Sequence, residues 1–324
     1  MIKVAINGFG RIGRATAKII LDKHPELDLV AINDLGDPKT LAHLMKYDSL
    51  YGKYSVGLDG DHLLVGDKKI KIFSEKRPES IGWGDIDIVL ECTGFFRDYD
   101  GAMGHIKSGA KKVIISAPSK SDQVPSFVLG VNEEELKPED TIMDMGSCTT
   151  NCLAPILKVL EDDFGVDNGL MTTVHSYTND QNILDVGHKD LRRARAAAIN
   201  IIPTTTGAAK AVGRVIPSLQ GKIDGFALRV PTPTVSIVDL TCNLKKETTA
   251  EEINSIFRSK SSQIIHVSDD PLVSSDYIGS EFSAIIDSSL TMVSGRTIKI
   301  VAWYDNEWGY SCRLADFAEY VDKI

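Results

Sequence analysis

The chain has 324 residues, a length that indicates two domains at about 150 residues each. Hydrophobic residues make up 43% and charged residues 25% of the chain, which is typical of a compact globular protein and excludes disordered and fibrous classes. The net charge of −9 repels phosphate backbones and argues against nucleic acid as a partner. No run of about 18 apolar residues is present to span a bilayer, and Ile2 to Ile6 resembles a strand rather than a signal peptide. We therefore expect a cytoplasmic protein without a membrane partner.

Up to about Ser147, short β-branched runs alternate with segments of helical periodicity, a rhythm that predicts a parallel sheet. The predicted strands and helices are, in chain order, strand Lys3 to Asn7, helix Arg11 to Lys23, strand Asp28 to Asn33, strand Asp85 to Glu91, helix Gly101 to Ser108 and strand Lys112 to Ser116. An apolar segment with helical character follows from Leu153 to Leu160.

The second half has a different pattern. Apolar and polar residues alternate from Val238 to Lys245, as expected of a sheet with one solvated face. The runs Gly169 to Tyr177, Ile223 to Val230 and Thr297 to Tyr304 are predicted to join this sheet. At the end of the chain, Leu314, Phe317, Ala318 and Val321 share one helical stripe, which predicts a helix packed on a core.

The first candidate site is the segment Gly8-Phe-Gly10-Arg-Ile-Gly13, between the first strand and the first helix. Glycines there allow a tight turn and close approach of the backbone to a pyrophosphate, at a helix start whose dipole favours anions. Asp34, 21 residues after Gly13, ends the second strand, where a carboxylate accepts hydrogen bonds from a ribose and repels a 2′-phosphate. The pattern predicts NAD as the cofactor; a plain strand-to-helix turn and an ordinary turn aspartate are the alternatives.

The second candidate site is a thiol. Cys148 precedes the apolar helix, so unsatisfied N–H groups at the helix start would stabilise its thiolate, although most free cysteines are inert core residues. His175 ends a β-rich run and is a candidate base or simply a hydrogen-bonded histidine. The five cysteines form neither a disulfide framework nor a zinc site, and the other histidines lack the spacing of ligands, so no metal is predicted.

Basic and hydroxyl residues suggest pockets for anions. The segment Lys189 to Arg195 is the densest basic stretch and could equally be a solvated face. The segment Thr204-Thr-Thr-Gly207 offers hydroxyls and a backbone N–H. Arg229 lies within an apolar strand, where a buried arginine needs either a carboxylate or a phosphate ligand.

Six motifs in order give the chain a resemblance to the phosphorylating glyceraldehyde-3-phosphate dehydrogenase family over nearly its whole length. They are Asn7-Gly-Phe-Gly-Arg-Ile-Gly-Arg14, Ser147-Cys-Thr-Thr-Asn-Cys152, Thr173-Val-His-Ser-Tyr-Thr-Asn-Asp180, Thr204-Thr-Thr-Gly-Ala-Ala-Lys210, Arg229-Val-Pro-Thr-Pro233 and Trp303-Tyr-Asp-Asn-Glu-Trp-Gly-Tyr310. The resemblance implies an α/β plus α+β fold, a Rossmann domain beside a domain on a mainly antiparallel sheet. It places the NAD-binding domain at 1–147, completed by the C-terminal helix 311–324, and the catalytic and tetramerisation domain at 148–310 of a cytoplasmic homotetramer.

The implied activity is NAD-dependent oxidation and phosphorylation of glyceraldehyde 3-phosphate to 1,3-bisphosphoglycerate, with Cys148 as nucleophile and His175 as base. The two substrates would be glyceraldehyde 3-phosphate and inorganic phosphate. By resemblance, Thr178 and Arg229 would hold the substrate phosphate. The attacking phosphate would be held by Ser147, Thr149, Arg195, Thr206 and Gly207. The implied cofactor contacts are Asn7, Gly8, Gly10, Arg11, Ile12, Gly13, Asp34, Arg77, Ser116, Asn306 and Tyr310.

The sequence also departs from the family pattern. It reads Met143-Asp-Met-Gly-Ser147 where members usually have Ser-Asn-Ala-Ser, and Val186-Gly187 where NAD-restricted bacterial members usually have Leu-Pro, so use of NADP stays open. Two rival interpretations remain. An erythrose-4-phosphate dehydrogenase usually has glutamate at the position of Asp34 and lacks the Thr178 and Thr204 to Gly207 pattern. A non-catalytic NAD-binding protein on the same fold would not need Cys148 and His175 together.

Overall fold

The structure, a computed structural model, describes residues 1–324. The chain forms two compact units. The first comprises 1–127, 133–147 and 310–324, and the second comprises 128–132 and 148–309.

The first unit is built on an eight-stranded sheet with β1 at its centre. Its strands are β1 (Ile2–Asn7), β2 (Leu27–Asn33), β5 (Gly57–Asp59), β6 (His62–Val65), β7 (Lys68–Phe73), β8 (Ile86–Glu91), β9 (Ala110–Ile115) and β10 (Ile142–Asp144), while β3 (Tyr47–Asp48) and β4 (Gly52–Lys53) form a separate hairpin. The order is β10-β9-β8-β1-β2-β7-β6-β5; the six strands from β10 to β7 are parallel, and β6 and β5 extend them antiparallel. The chain therefore adds β2 and β7 on one side of β1 and β8 to β10 on the other, and open parallel sheets bind ligands where the strand order changes side in this way.

The helices of this unit are α1 (Arg11–Lys23), α2 (Pro38–Lys46) and α3 (Tyr99–Lys107), and α7 (Trp308–Asp322) belongs to it from Tyr310 onwards. The central residues Val4 to Ile6 of β1 are fully buried, as expected of a parallel strand covered on both faces. The predicted C-terminal stripe is fully buried too, and Phe317 of α7 lies 6.0 Å from the ring of Phe127.

The second unit contains a second eight-stranded sheet. Its strands are β11 (Val166–Ser176), β12 (Ile202–Thr205), β13 (Ile223–Val230), β14 (Ser236–Leu244), β15 (Ile265–Ser268), β16 (Ala284–Asp287), β17 (Met292–Ser294) and β18 (Thr297–Tyr304). They run in the order β12-β13-β11-β14-β18-β16-β15, with β17 also on β18. Five of the seven pairings are antiparallel, and β11 with β13 and β15 with β16 are parallel. The predicted sheet is therefore confirmed as mainly antiparallel.

The helices α4 (Cys148–Asp163), α5 (Ala208–Val215) and α6 (Ala250–Ser259) accompany this sheet. Val238, Leu240, Cys242 and Leu244 of β14 lie in the same buried cluster as the apolar residues of α4. Between them along β14, Asp239, Thr241 and Asn243 are half-buried, so the predicted alternation is confirmed. None of the seven helices has the length and apolar character needed to cross a lipid bilayer.

Candidate functional site

The turn between β1 and α1 has the backbone geometry of a phosphate-binding loop. Gly8 has a φ of +92°, which favours glycine, and a Cβ atom there would lie 2.7 Å from the backbone nitrogen of Thr93. A Cβ at Gly13 would lie 2.1 Å from the carbonyl oxygen of Gly8, whereas Gly10, the N-cap of α1, faces open space. The first and third glycines are therefore required by packing, and the second leaves the helix start open to a ligand.

Asp34 lies directly after β2 and faces the same turn. Its Oδ2 accepts a hydrogen bond from the Phe9 amide at 2.8 Å, and its Oδ1 accepts one from the Gly36 amide at 2.9 Å. A cavity of about 500 Å³ opens beside it, within the size range of cofactor sites. The residues that line this cavity include Asn7, Gly8, Gly10, Asn33, Asp34, Leu35, Glu75, Lys76, Thr93, Phe95 and Phe96. Leu35 and Phe95 are 60% and 80% exposed, so they offer apolar surface to a flat base.

The other predicted cofactor residues of this unit lie elsewhere. The guanidinium of Arg11 is bound to Asp48 at 2.7 Å. The backbone of Arg11 and Ile12, in the first turn of α1, is therefore the part of these residues that remains for a pyrophosphate. Arg77 has a side chain that is 77% exposed, lies 3.8 Å from Glu79 and does not line the cavity, whereas its neighbour Lys76 does.

Three further predicted contacts have protein partners. The amide of Ser116 donates to the carbonyl of Glu91 at 3.0 Å, and Ser116 lies outside the cavity lining. Asn306 is buried, and its Oδ1 accepts hydrogen bonds from the hydroxyls of Ser176 and Ser236 at 2.8 and 3.0 Å. Tyr310 donates its hydroxyl to the carbonyl of Gly146 at 3.0 Å.

The second unit brings together a thiol, an imidazole and a guanidinium. Cys148 is the first residue of α4, and His175 lies near the end of β11. The Sγ atom of Cys148 is 3.5 Å from Nε2 of His175. Arg229 of β13 is the register partner of His175 in the parallel β11–β13 pair, which places its NH1 atom 2.8 Å from Nδ1 of His175.

Nδ1 of His175 has two polar neighbours, the carbonyl oxygen of Ser176, which can only accept, and NH1 of Arg229, which can only donate. Nδ1 is 2.7 Å from the carbonyl oxygen of Ser176, which also accepts from NH1 of Arg229 at 3.0 Å. A neutral ring that donates from Nδ1 to Ser176 leaves the lone pair of Nε2 directed at the thiol. His175 is 4% exposed, and burial together with the positive charge of Arg229 lowers its pKa to about 3. The ring is therefore a neutral base at physiological pH.

Burial acts against the thiolate that the sequence analysis expects at Cys148. Burial raises the pKa of Cys148, opposed by the charge of Arg229 and by hydrogen bonds from the Thr149 hydroxyl and from the backbone N–H groups of Thr149 and Cys148. The backbone N–H groups at the helix start thus lower the pKa of Cys148, as predicted, but desolvation raises it by more. Burial therefore favours the thiol form of Cys148, and Nε2 of His175 at 3.5 Å lies within reach of its proton.

The structure brings Arg193, and not Arg195, to this group. Nε of Arg193 donates to the Thr204 hydroxyl at 2.8 Å, NH2 donates to the Thr205 carbonyl at 3.2 Å, and NH1 pairs with Asp180. The charge of Arg193 lowers the pKa of both His175 and Arg229. Arg195 instead has a side chain that is 63% exposed and pairs with Asp185 at 3.1 Å, because the chain turns it outward.

Four of the predicted phosphate ligands lie at the starts of α4 and α5, whereas Thr178 lies in the loop after β11. Thr149, in the first turn of α4, is buried and shares a 2.8 Å hydrogen bond with the hydroxyl of Tyr304. Thr206 accepts from the amide of Ala208 at 3.2 Å, and Gly207 is the N-cap of α5. Ser147, just before α4, and Thr178, whose carbonyl accepts from the Gln181 amide at 2.9 Å, are both half-buried.

A dinucleotide cavity in one unit, and in the other a half-buried thiol beside a buried imidazole with two arginines nearby, define a cysteine-dependent, dinucleotide-linked oxidoreductase. Two family descriptions match the chain: "Glyceraldehyde 3-phosphate dehydrogenase, NAD binding domain" over residues 2–99, and "Glyceraldehyde 3-phosphate dehydrogenase, C-terminal domain" over residues 147–306. The chain belongs to the glyceraldehyde-3-phosphate dehydrogenase family, as the resemblance predicts, and NAD is its cofactor.

Curated relatives match almost end to end. Glyceraldehyde-3-phosphate dehydrogenase from Geobacillus stearothermophilus is 53% identical, covering 99% of this chain and 98% of the relative. The chloroplastic glyceraldehyde-3-phosphate dehydrogenase A of Chlamydomonas reinhardtii is 54% identical, covering 99% and 89%. Glyceraldehyde-3-phosphate dehydrogenase from Streptomyces coelicolor is 51% identical, covering 99% of this chain and 98% of the relative. These comparisons and the two sheets confirm the predicted fold class of a Rossmann domain with a mainly antiparallel partner domain.

Proposed function

We propose that the chain catalyses the NAD-dependent oxidation of glyceraldehyde 3-phosphate with inorganic phosphate as second substrate, through a thioester on Cys148. The observation that carries this proposal is the 3.5 Å approach of the Cys148 thiol to Nε2 of His175, with Arg229 on the other side of the ring. A thiol next to a neutral base can add to an aldehyde, and a neighbouring guanidinium can bind a phosphate.

The first step is addition of the thiol to the aldehyde. The sulfur–carbon bond forms as the S–H proton of Cys148 moves to Nε2 of His175, and the carbonyl oxygen then takes this proton to give a hemithioacetal. The low pKa of His175 suits this transient role, because the imidazolium returns its proton readily.

In the second step, Nε2 accepts the hydroxyl proton of the hemithioacetal while hydride leaves the same carbon, which leaves a thioester on Cys148. When bound, NAD supplies the nicotinamide that accepts this hydride. An oxygen of inorganic phosphate then attacks the thioester carbon, the carbon–sulfur bond breaks, and His175 returns its proton to the leaving sulfur. The product is the acyl phosphate, 1,3-bisphosphoglycerate.

Two phosphate positions are part of the proposal. Arg229 and Thr178 would bind the substrate phosphate, and Ser147, Thr149, Thr206 and Gly207 would bind the attacking phosphate. Arg193 takes the place that the sequence analysis gave to Arg195, because its guanidinium lies at Thr204 and Thr205 and its charge reaches His175 and Arg229. A planar guanidinium beside backbone N–H groups suits a tetrahedral oxyanion.

The domain roles follow the same division. Residues 1–147 with 311–324 would be the NAD-binding domain, and 148–310 the catalytic and tetramerisation domain. The cavity supports the first assignment, and the Cys148–His175 pair supports the second. Five unpaired cysteines favour a reducing compartment such as the cytoplasm.

A homotetramer is proposed from the surface of the second unit. Ile183, Leu184, Leu191, Ile199 and Ile201 are each at least 67% exposed, within a segment of fewer than twenty residues. Large apolar side chains concentrated in this way are typical of an interface. We expect light scattering to give four times the mass of 35.4 kDa, and Leu191→Asp to give smaller species.

The assay that tests the activity is NADH formation from glyceraldehyde 3-phosphate with and without inorganic phosphate. We expect steady turnover that requires phosphate in the unaltered protein and none in Cys148→Ala. Faster turnover of erythrose 4-phosphate would replace the proposed substrate. NAD binding without turnover of either aldehyde would leave only a binding protein.

A further inference from the structure

A fully buried group of polar side chains lies at the end of the central strands of the first unit, at the carboxyl ends of β1, β2 and β8. Asn7 ends β1, and its register partners are Asn33 of β2 and Glu91 of β8. We propose that Glu91, which does not line the cofactor cavity, is a positioning residue for NAD that acts through Asn7 and Thr93. The inference rests on the proposed use of this cavity by NAD.

Both oxygens of Glu91 are occupied by hydrogen-bond donors. Oε1 accepts from the Thr93 amide at 2.7 Å and from the Thr93 hydroxyl. Oε2 lies 2.5 Å from Nδ2 of Asn7 and 3.0 Å from Nε2 of His105. The side chains of Glu91 and His105 are 0% exposed, and no lysine or arginine pairs with Glu91. Four short contacts to neutral groups therefore replace a counter-ion.

Groups that can only donate fix the direction of two of these bonds. The indole Nε1 of Trp83 donates to Nδ1 of His105 at 2.9 Å, so the ring proton of neutral His105 is on Nε2 and is directed at Glu91. The Phe95 amide donates to the Thr93 hydroxyl oxygen at 3.0 Å, so the hydroxyl proton is left for Glu91.

A third constraint comes from the loop after β7. The Glu75 amide donates to Oδ1 of Asn33 at 2.8 Å, which fixes the orientation of that side chain. Nδ2 of Asn33 then donates to Oδ1 of Asn7 at 2.7 Å, so the NH2 group of Asn7 must face Glu91. All four partners of Glu91 are thus donors, and the side chain has to be an ionised carboxylate.

The partners of this carboxylate reach the cofactor cavity. Asn7, Asn33, Glu75 and Thr93 line the cavity, whereas Glu91, His105 and Trp83 do not. Thr93 also packs on the phosphate-binding turn, because a Cβ at Gly8 would lie 2.7 Å from its amide. A displacement of Thr93 or Asn7 therefore changes both the wall of the cavity and the path of the glycine turn.

The test is Glu91→Gln, which keeps the shape of the side chain but points an NH2 group at donors. We expect the Kd for NAD, and equally for ADP-ribose, to rise by about tenfold or more, since a buried donor loses its acceptor. The kcat at saturating NAD and the rate of Cys148 alkylation without NAD should change by less than about twofold. A purely structural role would lower the melting temperature and leave the Kd unchanged, which would overturn the proposal.

Two further variants make the test decisive. Glu161→Gln is the matched control, because Glu161 also accepts a backbone amide, that of Val166 at 2.7 Å, but lies in the second unit; its Kd for NAD should not change. Trp83→Phe removes the donor that fixes the His105 tautomer, and we expect a Kd about threefold higher. If Glu91→Gln does not fold, an unchanged Kd in Trp83→Phe overturns the proposal. If the unaltered protein binds no NAD, the proposed function fails before any variant is compared.

Discussion

The guanidinium of Arg229 lies 2.8 Å from Nδ1 of His175, on the side of the ring away from the Cys148 thiol. One positive charge therefore acts on both members of the reacting pair. It lowers the pKa of His175, which keeps the base neutral, and it lowers the pKa of Cys148, which favours the thiolate. The effect on Cys148 favours release of the thiol proton, whereas the effect on His175 keeps Nε2 free before the reaction and lets the imidazolium return its proton readily.

The first prediction removes this charge. In Arg229→Leu, the pKa of His175 should rise from its value of about 3, because the second largest cause of the lowering is gone, and the pKa of Cys148 should rise as well. Proton NMR of the imidazole and the pH dependence of Cys148 alkylation measure the two shifts. Arg229→Lys keeps a positive charge and should move both values less. A His175 titration that is identical in all three proteins would contradict this coupling.

The second prediction concerns pH. Because burial raises the pKa of Cys148, the rate of its alkylation by iodoacetamide in the ligand-free protein should keep rising at pH values above the ordinary pKa of a thiol. Peptide mapping assigns the label, since burial also raises the pKa of Cys152 and Cys242. A plateau of fast alkylation already present at pH 6 would show a resting thiolate instead.

Local patterns in the sequence account for much of the fold. Strands β1, β2, β8 and β9 and helix α1 carry strong periodicity and lie within two residues of their predicted bounds. Strands β5 to β7 were not predicted, because β5 and β6 are only three and four residues long and lysines interrupt the apolar residues of β7. Helices α2 and α6 had readable signals that were not used: Asp37 caps α2 before a proline, and Thr249 and Glu252 form a capping box on α6.

The site required tertiary information. His175 and Arg229 are 54 residues apart and meet only because β11 and β13 pair in parallel within a mainly antiparallel sheet. The basic run from 189 to 195 contains three arginines, and only the path of the backbone decides that Arg193 turns towards Thr204 and Arg195 towards Asp185. In the same way, the sequence does not show which of the neighbours Lys76 and Arg77 lines the cofactor cavity; in the structure it is Lys76, and Arg77 lies near Glu79. The charge state of Cys148 depended on its burial, which its position at a helix start does not reveal.

The third prediction compares those two arginines. Arg193→Ala should raise the KM for inorganic phosphate by about tenfold or more, because it removes a largely buried guanidinium with several hydrogen bonds. Arg195→Ala should change it by less than about twofold, since an exposed ion pair contributes little. Steady-state kinetics at saturating aldehyde and NAD give both KM values, and Arg193→Lys should have a KM for phosphate between those of the unaltered protein and Arg193→Ala. Equal effects of the two alanine variants would remove the distinction.

The fourth prediction concerns cofactor choice. Asp34→Ala should lower the preference for NAD over NADP, measured as the ratio of kcat/KM values, by roughly tenfold, because the carboxylate that repels a 2′-phosphate is gone. Asp37→Ala is the matched control: Asp37 caps α2 three residues further on and does not line the cavity. An unchanged ratio in Asp34→Ala would assign the selectivity to other residues.

The last prediction concerns Tyr304, whose buried hydroxyl links the first turn of α4 to β11. It lies 2.8 Å from the hydroxyl of Thr149 and 2.9 Å from that of Thr173. Tyr304→Phe leaves both threonine hydroxyls without this partner and should lower the free energy of unfolding by about 1–3 kcal/mol. Since Thr149 then loses its fixed orientation, the KM for phosphate should also rise. Thr173→Val tests the coupling, because its cost should be smaller when Tyr304 has already been replaced; additive losses in the double variant would show that the two side chains act independently.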